Sequence, residues 1–160
     1  VDLEQVAEML KVDCTIETDL RVLIPEEYVT SISERLALYT RLDEIEDEET
    51  LAVFIKEIKD RFGDLPQEVN DMIELVKCRW KAQVLGIEKI LLKNNILKFH
   101  FVSSESTRPL DQNIVIKVIS FVNNKKGICQ LREKAGKMIL QIDKVSSIKE
   151  LNTILVDILG

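Results

Sequence analysis

Few residues of this 160-residue chain have the type and spacing that catalysis requires. The single histidine, His100, lies in the segment LKFHF, alternates with Phe99 and Phe101, and shares a strand face with Lys98. The chain contains no nucleophile motif, no Walker-type phosphate loop and no dinucleotide-binding glycine pattern. The acidic run DEIEDEE has no basic or metal partner and is interpreted as solvated surface. We therefore predict no catalytic residue and no cofactor, and we interpret His100 as an exposed strand residue.

The three cysteines, Cys14, Cys78 and Cys129, are far apart and form no C-x-x-C pair. A structural zinc site needs about four ligands, and three scattered cysteines with one histidine do not suggest one. Each cysteine lies in an apolar or periodic stretch. We predict small buried thiols in a reducing compartment and no metal site.

The composition favours a soluble domain. Hydrophobic residues make up 46% of the chain, charged residues 31%, and the net charge is −6. Phosphate backbones repel an acidic chain, which disfavours a main DNA-binding role. There is no run of about 18 apolar residues and no signal-peptide pattern, so we expect no membrane contact and a cytoplasmic location. Because the chain begins with Val1, we expect it to be part of a longer protein.

The amino-terminal part predicts a helix over residues 1–11 and one or two extended segments over residues 12–24. In the second range apolar side chains alternate with polar ones, as in a chain with one buried face. We assign residues 1–24 to a connecting helix and extended arm, and residues 25–160 to the domain proper, with helices over about 26–86 and an α/β part over about 87–160.

Three amphipathic helices are predicted between residues 26 and 86. The first begins after Pro25, the second ends at the left-handed residue Gly63, and the third has Pro66 in its first turn. Their predicted core stripes are Tyr28, Ile32, Leu36 and Tyr39; Leu51, Phe54, Ile55, Ile58 and Phe62; and Val69, Met72, Ile73, Val76 and Trp80. Trp80, with lysines and an arginine close by, also suggests stacking on single-stranded nucleic acid, but its place in the stripe favours core packing.

The carboxy-terminal part predicts the order β-β-α-β-β-α. Hairpin turns are indicated at residues 93–95 and 135–136. The apolar pattern over residues 108–124 favours a helix by its length and spacing, with a strand as the alternative. Ser147 and Glu150 have the spacing of a capping box that begins the last helix. The predicted fold class is α+β, in which an extended segment and a helical subdomain precede an antiparallel layer.

One face of the second predicted helix, in the segment LAVFIKEIKDRFG, is charged without an obvious core to cover. Val53, Glu57 and Asp60 follow i, i+4, i+7 spacing away from the apolar stripe, with Arg61 at the flank. One interpretation is a solvated face with a Glu57–Arg61 ion pair of a few tenths of a kcal/mol. The other is a surface whose carboxylates accept bidentate bonds from arginines of a partner.

Four patterns in the chain resemble the carboxy-terminal domain of bacterial transcription-repair coupling factors. They are I-P-x-x-Y and R-L-x-x-Y-x-R within IPEEYVTSISERLALYTRL, D-R-F-G-x-x-P within IKEIKDRFGDLPQEVNDMI, and A-x-x-x-G-I within KAQVLGIEKI. The resemblance covers roughly residues 13–102, and the rest agrees mainly in length and element order.

The resemblance implies an end domain of a large ATP-dependent DNA translocase that removes stalled RNA polymerase from DNA and recruits nucleotide excision repair. This domain is not the motor. It is expected to dock on the amino-terminal module of the same parent chain, which recognises the excision-repair damage sensor, and to hold the resting protein repressed. By position, Glu57, Asp60 and Arg61 match the charged contacts of the family. The architectural positions matched are Tyr28, Arg35, Tyr39, Phe62, Gly63 and Pro66.

Three functions remain open at this point. The first is the regulatory interaction domain that the resemblance implies. The second is a nucleic-acid-contacting accessory domain of a helicase-like protein, which the acidic composition disfavours. The third is an enzyme, which the missing residue constellations disfavour.

Overall fold

The computed structural model describes residues 13–103, 110–125 and 127–160. The helix predicted for residues 1–11 lies outside them. The helices within the described residues are α1 (Ile32–Glu44), α2 (Glu48–Phe62), α3 (Gln67–Val84), α4 (Gln112–Asn124) and α5 (Ile148–Leu159). The strands are β1 (Thr15–Thr18), β2 (Ile87–Lys93), β3 (Ile96–Phe101), β4 (Cys129–Lys134) and β5 (Lys137–Asp143).

The five strands form one sheet in the order β1-β2-β3-β5-β4. The predicted α+β class and the order β-β-α-β-β-α after residue 87 are confirmed. The antiparallel pairing predicted for the strands after residue 87 is also confirmed. The extended segment before them adds β1, which pairs in parallel with β2. Parallel neighbours need a long crossover connection, and the three helices between these two strands supply it.

Two tight turns set the register of the antiparallel pairs. Asn94 and Asn95 both have positive φ, 54° and 61°, as a type I′ hairpin turn requires. Ala135 and Gly136 follow the same pattern with φ of 53° and 77°. Both predicted hairpins are therefore confirmed.

Contacts divide the chain into two compact units. The helical unit comprises residues 21–77. Among the described residues, the α/β unit comprises residues 13–20 and those from residue 78 onward, so that β1 belongs with the sheet. One face of the sheet and the inner sides of α4 and α5 form the core of the α/β unit. Its fully buried residues include Ile90, Leu97, Phe99, Phe101, Val118, Leu140, Leu151 and Leu155.

The start and the buried side of α1 differ from the prediction. The Pro25 carbonyl accepts hydrogen bonds from the N–H groups of Tyr28 and Val29, which closes a turn rather than beginning a helix. The helix begins at Ile32, after Ser31, whose hydroxyl caps the N–H of Glu34. The buried residues of α1 are Leu38 and Leu42, whereas Ile32 and Leu36 are 68% and 60% exposed. Because Tyr28 lies outside the helix, it could not set the phase of the core stripe.

The other helices agree more closely with the sequence pattern. In α2, Leu51, Phe54 and Ile58 are buried as predicted, whereas Phe62 at the last residue is half-buried. Ser147 caps α5 by accepting from the N–H of Glu150, as the capping-box spacing predicts. In α4, Ile119, which belongs to the apolar pattern of this segment, is 44% exposed, whereas Phe121 is buried.

Several residues matched by the family pattern hold the helical unit together. The Tyr28 hydroxyl donates to the carbonyl of Gly63 at 2.7 Å, across 35 residues of chain. The guanidinium of Arg35 donates to the carbonyl of Val29 at 2.6 Å. The Tyr39 hydroxyl accepts from the N–H of Ile24 at 2.7 Å. These side chains provide hydrogen-bond partners for backbone groups in loops, which have no partner in a helix or a sheet. This explains why hydroxyl and guanidinium groups are needed at these three positions.

The Tyr39 bond leads to a stability prediction. Ile24 is 6% exposed, so Tyr39→Phe leaves its N–H buried without its partner, and we expect a loss of about 1–3 kcal/mol in the free energy of unfolding. Tyr28→Phe is the matched control, because its acceptor Gly63 is exposed and water can replace the hydroxyl; we expect about 1 kcal/mol or less. Urea unfolding followed by circular dichroism measures both. Equal losses would contradict this assignment.

The described residues contain no helix with the length and apolarity needed to cross a membrane. No disulfide joins the three cysteines; Cys78 is buried, whereas Cys14 and Cys129 are half-buried rather than fully buried as predicted. Burial raises the pKa of the Cys14 thiol to about 12, although the nearby charge of Arg79 lowers it.

Cysteine reactivity can be predicted from this environment. The thiolate is the nucleophile, so we expect Cys14 of the folded chain to be alkylated by iodoacetamide at least about tenfold more slowly than in the urea-unfolded chain. Mass spectrometry of timed samples gives the rate at each cysteine. Equal rates in the two states would show that Cys14 is not shielded.

Candidate protein-interaction surface on the helical unit

The four predicted contact residues lie on the solvent side of α2. Val53 is 55% exposed, and Glu57, Asp60 and Arg61 are all exposed. The opposite side of the helix buries Leu51, Phe54 and Ile58. The helix is capped at both ends: the Asp47 carboxylate accepts from the N–H of Thr50, and the N–H of Gly63 donates to the carbonyl of Lys59. Its two caps and its buried side thus stabilise the helix that carries these four side chains.

The ion pairs at this surface run between helices rather than along α2. Glu57 accepts a hydrogen bond from the guanidinium of Arg41 on α1. Arg61 pairs with Glu34 on α1, with 2.9 Å between Nη2 and Oε1. The Glu57–Arg61 pair considered from spacing is therefore replaced by two pairs to α1, because that helix presents the opposite charge at each position.

Aromatic rings position both arginines. The guanidinium carbon of Arg41 lies 5.3 Å from the ring centroid of Phe54, and that of Arg61 lies 4.7 Å from the centroid of Phe62. Such cation–π contacts contribute about 0.5–1 kcal/mol at exposed sites. Sequence reasoning missed Glu34 and Arg41 as members of this surface. Arg41 was part of the R-L-x-x-Y-x-R pattern, but its contact with α2 depends on how the two helices pack.

Asp60 differs from its neighbours. It forms no ion pair or side-chain hydrogen bond with another residue in the part of the chain that the structure describes. Glu57 is partly neutralised by Arg41; the hydrogen bond from Arg41 holds the pKa of the Glu57 carboxyl below its ordinary value, although desolvation opposes this. Asp60 is therefore the carboxylate that a partner can contact without displacing an internal ion pair.

The field around this surface is negative. Residues 21–77 contain seven lysines and arginines against fifteen aspartates and glutamates. A net negative unit attracts basic surfaces and repels phosphate. We call Val53, Glu57, Asp60 and Arg61, with the paired Glu34 and Arg41, the α2 face. Its chemistry fits a partner that presents arginines or lysines around a small apolar contact.

The remaining singled-out residues lie elsewhere. Trp80 is half-buried on α3. His100 lies on β3 and is half-buried rather than exposed as predicted, with Nε2 shielded from solvent. Within residues 13–103, 110–125 and 127–160, no group of three or more histidine, cysteine, aspartate or glutamate side chains has the arrangement of a metal site.

Comparison with known proteins identifies relatives of this chain. A family model described as TRCF domain matches residues 18–112. The transcription-repair-coupling factor of Rickettsia bellii (strain RML369-C) is 35% identical over 88 residues, which are 54% of this chain and 8% of the relative. That of Escherichia coli (strain K12) is 33% identical over 76 residues, 46% of this chain and 7% of the relative. The chain spans less than a tenth of these relatives.

A solved structure has the same fold. The crystal structure of the C-terminal domain of a transcription-repair coupling factor superposes with a TM-score of 0.74, covers 94% of each chain and is 16% identical in sequence. At this identity the likeness bears on the fold alone. It extends past residue 112, where the family-model match ends, into the rest of the α/β unit.

Proposed function

The chain belongs to the TRCF domain family, and on this premise we propose that it is a non-catalytic regulatory domain that docks through the α2 face. The proposed partner is the amino-terminal module of its own parent chain. Docking would mask the surface that this module offers to the excision-repair damage sensor and so repress the resting protein. In this proposal the parent protein supplies the ATP-dependent DNA translocation and the contacts with RNA polymerase and DNA.

The exposed position of Asp60 on a preformed helix is the observation that best supports the proposal. An interface built on exposed carboxylates and one valine is polar and of modest area, like the interfaces between domains that separate during function. Such charges govern specificity and association rate more than affinity. A releasable internal clamp needs this balance, because a tight apolar contact would not open.

Repression by such a clamp is a shift of population. Docking lowers the open fraction of the parent protein, and a ligand that binds the open form alone restores it. The damage sensor would be such a ligand, and its apparent affinity would fall in proportion to the closed fraction.

The experiment that tests the proposal measures binding between the 160-residue chain and the separately purified amino-terminal module of its parent, by isothermal titration calorimetry. We expect a one-to-one complex whose affinity falls as salt rises, and we expect the damage sensor to compete for the module. Absence of binding, or simultaneous binding of chain and sensor to the module, would refute the clamp.

A further inference from the structure

The sheet has a second surface that is unrelated to the α2 face. Side chains of β3 alternate between the core, where Leu97, Phe99 and Phe101 are buried, and the other side, where Lys98 and His100 are half-buried. Strand register places the neighbours of His100 on that same side, Lys89 on β2 and Ile139 on β5. Ile139 in turn lies opposite Arg132 on β4. We call this side of the sheet the polar sheet face.

The polar sheet face is positively charged in an acidic chain. Its basic side chains in the described strands are Lys89, Lys93, Lys98, Arg132, Lys134 and Lys137. Its acidic side chains there are Glu17, Glu88 and Asp143. The ratio is the reverse of that in the helical unit, so that positive charge is concentrated on one flat surface.

Internal pairing leaves part of this charge free. Glu17 is shared by Lys89 and Lys93, with N–O distances of 3.6 and 3.4 Å. Lys137 pairs with Glu88 at 2.6 Å. Lys98, Arg132 and Lys134 have no acidic partner within the described residues; Arg132 donates to the amide oxygen of Gln130. The face thus presents an array of cations across neighbouring strands, which lie about 4.8 Å apart.

We propose that the polar sheet face binds the phosphate backbone of duplex DNA, without reading its sequence. Lys98, Arg132 and Lys134, which have no acidic partner among the described residues, are the residues that would contact phosphate. This inference does not depend on the docking proposed for the α2 face, and it concerns a different surface.

The side chains of this face favour nucleic acid over an acidic protein segment. Protein interfaces draw their affinity from apolar and aromatic anchors, whereas DNA interfaces are more polar and much more positive. The large apolar residues that are exposed in the described part of the chain all lie on helices, so none of them lies on this face. Leu91, Ile96 and Ile139 are half-buried between the charged groups.

The position of the aromatic residues favours duplex over single-stranded DNA. Proteins that bind single strands stack bases on exposed aromatic rings. On β3 both phenylalanines, Phe99 and Phe101, point into the core and are fully buried. The register places no phenylalanine, tyrosine or tryptophan on the polar sheet face of the described strands. What remains is charge, which recognises the backbone of a duplex.

His100 provides a reporter at the centre of the face. It is the single histidine of the chain, and its Nε2 has no hydrogen-bond partner among the described groups. Desolvation, with the charges of Lys89 and Lys98, lowers its pKa, although Glu88 opposes this. A bound phosphate would offset the lysine charges and raise that pKa, which the imidazole NMR signal reports directly.

The test is fluorescence anisotropy of a labelled mixed-sequence DNA duplex titrated with the 160-residue chain between about 50 and 200 mM salt. We expect affinity to fall steeply with salt. The double variant Lys98→Glu/Arg132→Glu should bind at least about tenfold more weakly and reduce the slope of log K against log salt by about 2. Circular dichroism checks that this variant is folded.

The matched control is Lys125→Glu/Lys149→Glu. Both lysines are exposed and line a groove of about 320 Å³ beside α4 and α5, on the core side of the sheet. The control changes the net charge by the same amount, but on a surface away from the polar sheet face. It should therefore weaken DNA binding by less than about threefold.

Four results of the binding titrations would overturn the proposal. They are no binding of the duplex at the lowest salt; an equal loss in the control variant; tighter binding of a single strand than of the duplex; and displacement of the duplex by poly-glutamate of equal charge at equal concentration, which would indicate an acidic protein partner. An unchanged His100 signal on saturation with duplex would place the DNA elsewhere and would also refute it.

Discussion

Replacing Phe54 with alanine is expected to lower the free energy of unfolding by about 3–5 kcal/mol. Phe54 is 2% exposed and lies among apolar side chains of α1 and α3. The void beside it has a volume of only about 10 Å³, so the surrounding side chains are already closely packed. They can therefore move little to fill the cavity that the ring would leave. The guanidinium of Arg41 would also lose the ring beneath it. Urea unfolding followed by far-UV circular dichroism measures the loss.

Phe62→Ala is the matched comparison on the same helix. Phe62 is half-buried, with its ring 5.8 Å from that of Tyr28 and covered by Arg61. Partial exposure means that less apolar area is lost, and we expect about 1–2 kcal/mol. The helical pattern alone predicted equal burial of the two rings. A loss at Phe62 as large as that at Phe54 would show that the end of α2 is packed more tightly than the structure indicates.

Asp60→Lys is expected to weaken binding of the chain to the amino-terminal module by about 10- to 100-fold, because placing like charges against each other at an interface costs several kcal/mol. The fold should be unaffected, since the side chain is exposed and has no internal partner among the described residues. In the full-length parent the same change should raise binding of the damage sensor. Calorimetry with the isolated module and a pull-down with the sensor measure the two effects.

Two further variants separate docking from general electrostatics. Glu57→Lys removes a contact carboxylate but also places a lysine against Arg41, so its effect combines lost docking with repulsion inside the unit. Glu133→Lys changes net charge equally at an exposed position on β4 and should leave affinity within about twofold. If Asp60→Lys binds as well as the unsubstituted chain, or if Glu133→Lys loses as much, the α2 face is not the docking surface.

Local sequence determined the elements in which a single helix or turn carries its own signal. The apolar spacing of α2 and α5, the cap at Ser147, and the turns at Asn94 and Ala135 could all be predicted, because each depends on residues within one or two turns of chain. The outward direction of Val53, Glu57, Asp60 and Arg61 followed in the same way. The predicted order of helices and strands gave the α+β class, and the family pattern added the identification of Tyr28, Arg35 and Tyr39 as architectural residues.

Tertiary structure decided what depends on neighbours distant in sequence. The pairing of Glu57 with Arg41 and of Arg61 with Glu34 arises from the packing of α1 on α2. Ile32 and Leu36 are exposed because α1 begins later than the sequence pattern predicted. The parallel pairing of β1 and the gathering of cations from separate strands on one side of the sheet arise from strand register. Charges and ion pairs act through space over a few ångströms, and chain order alone does not specify which side chains come that close.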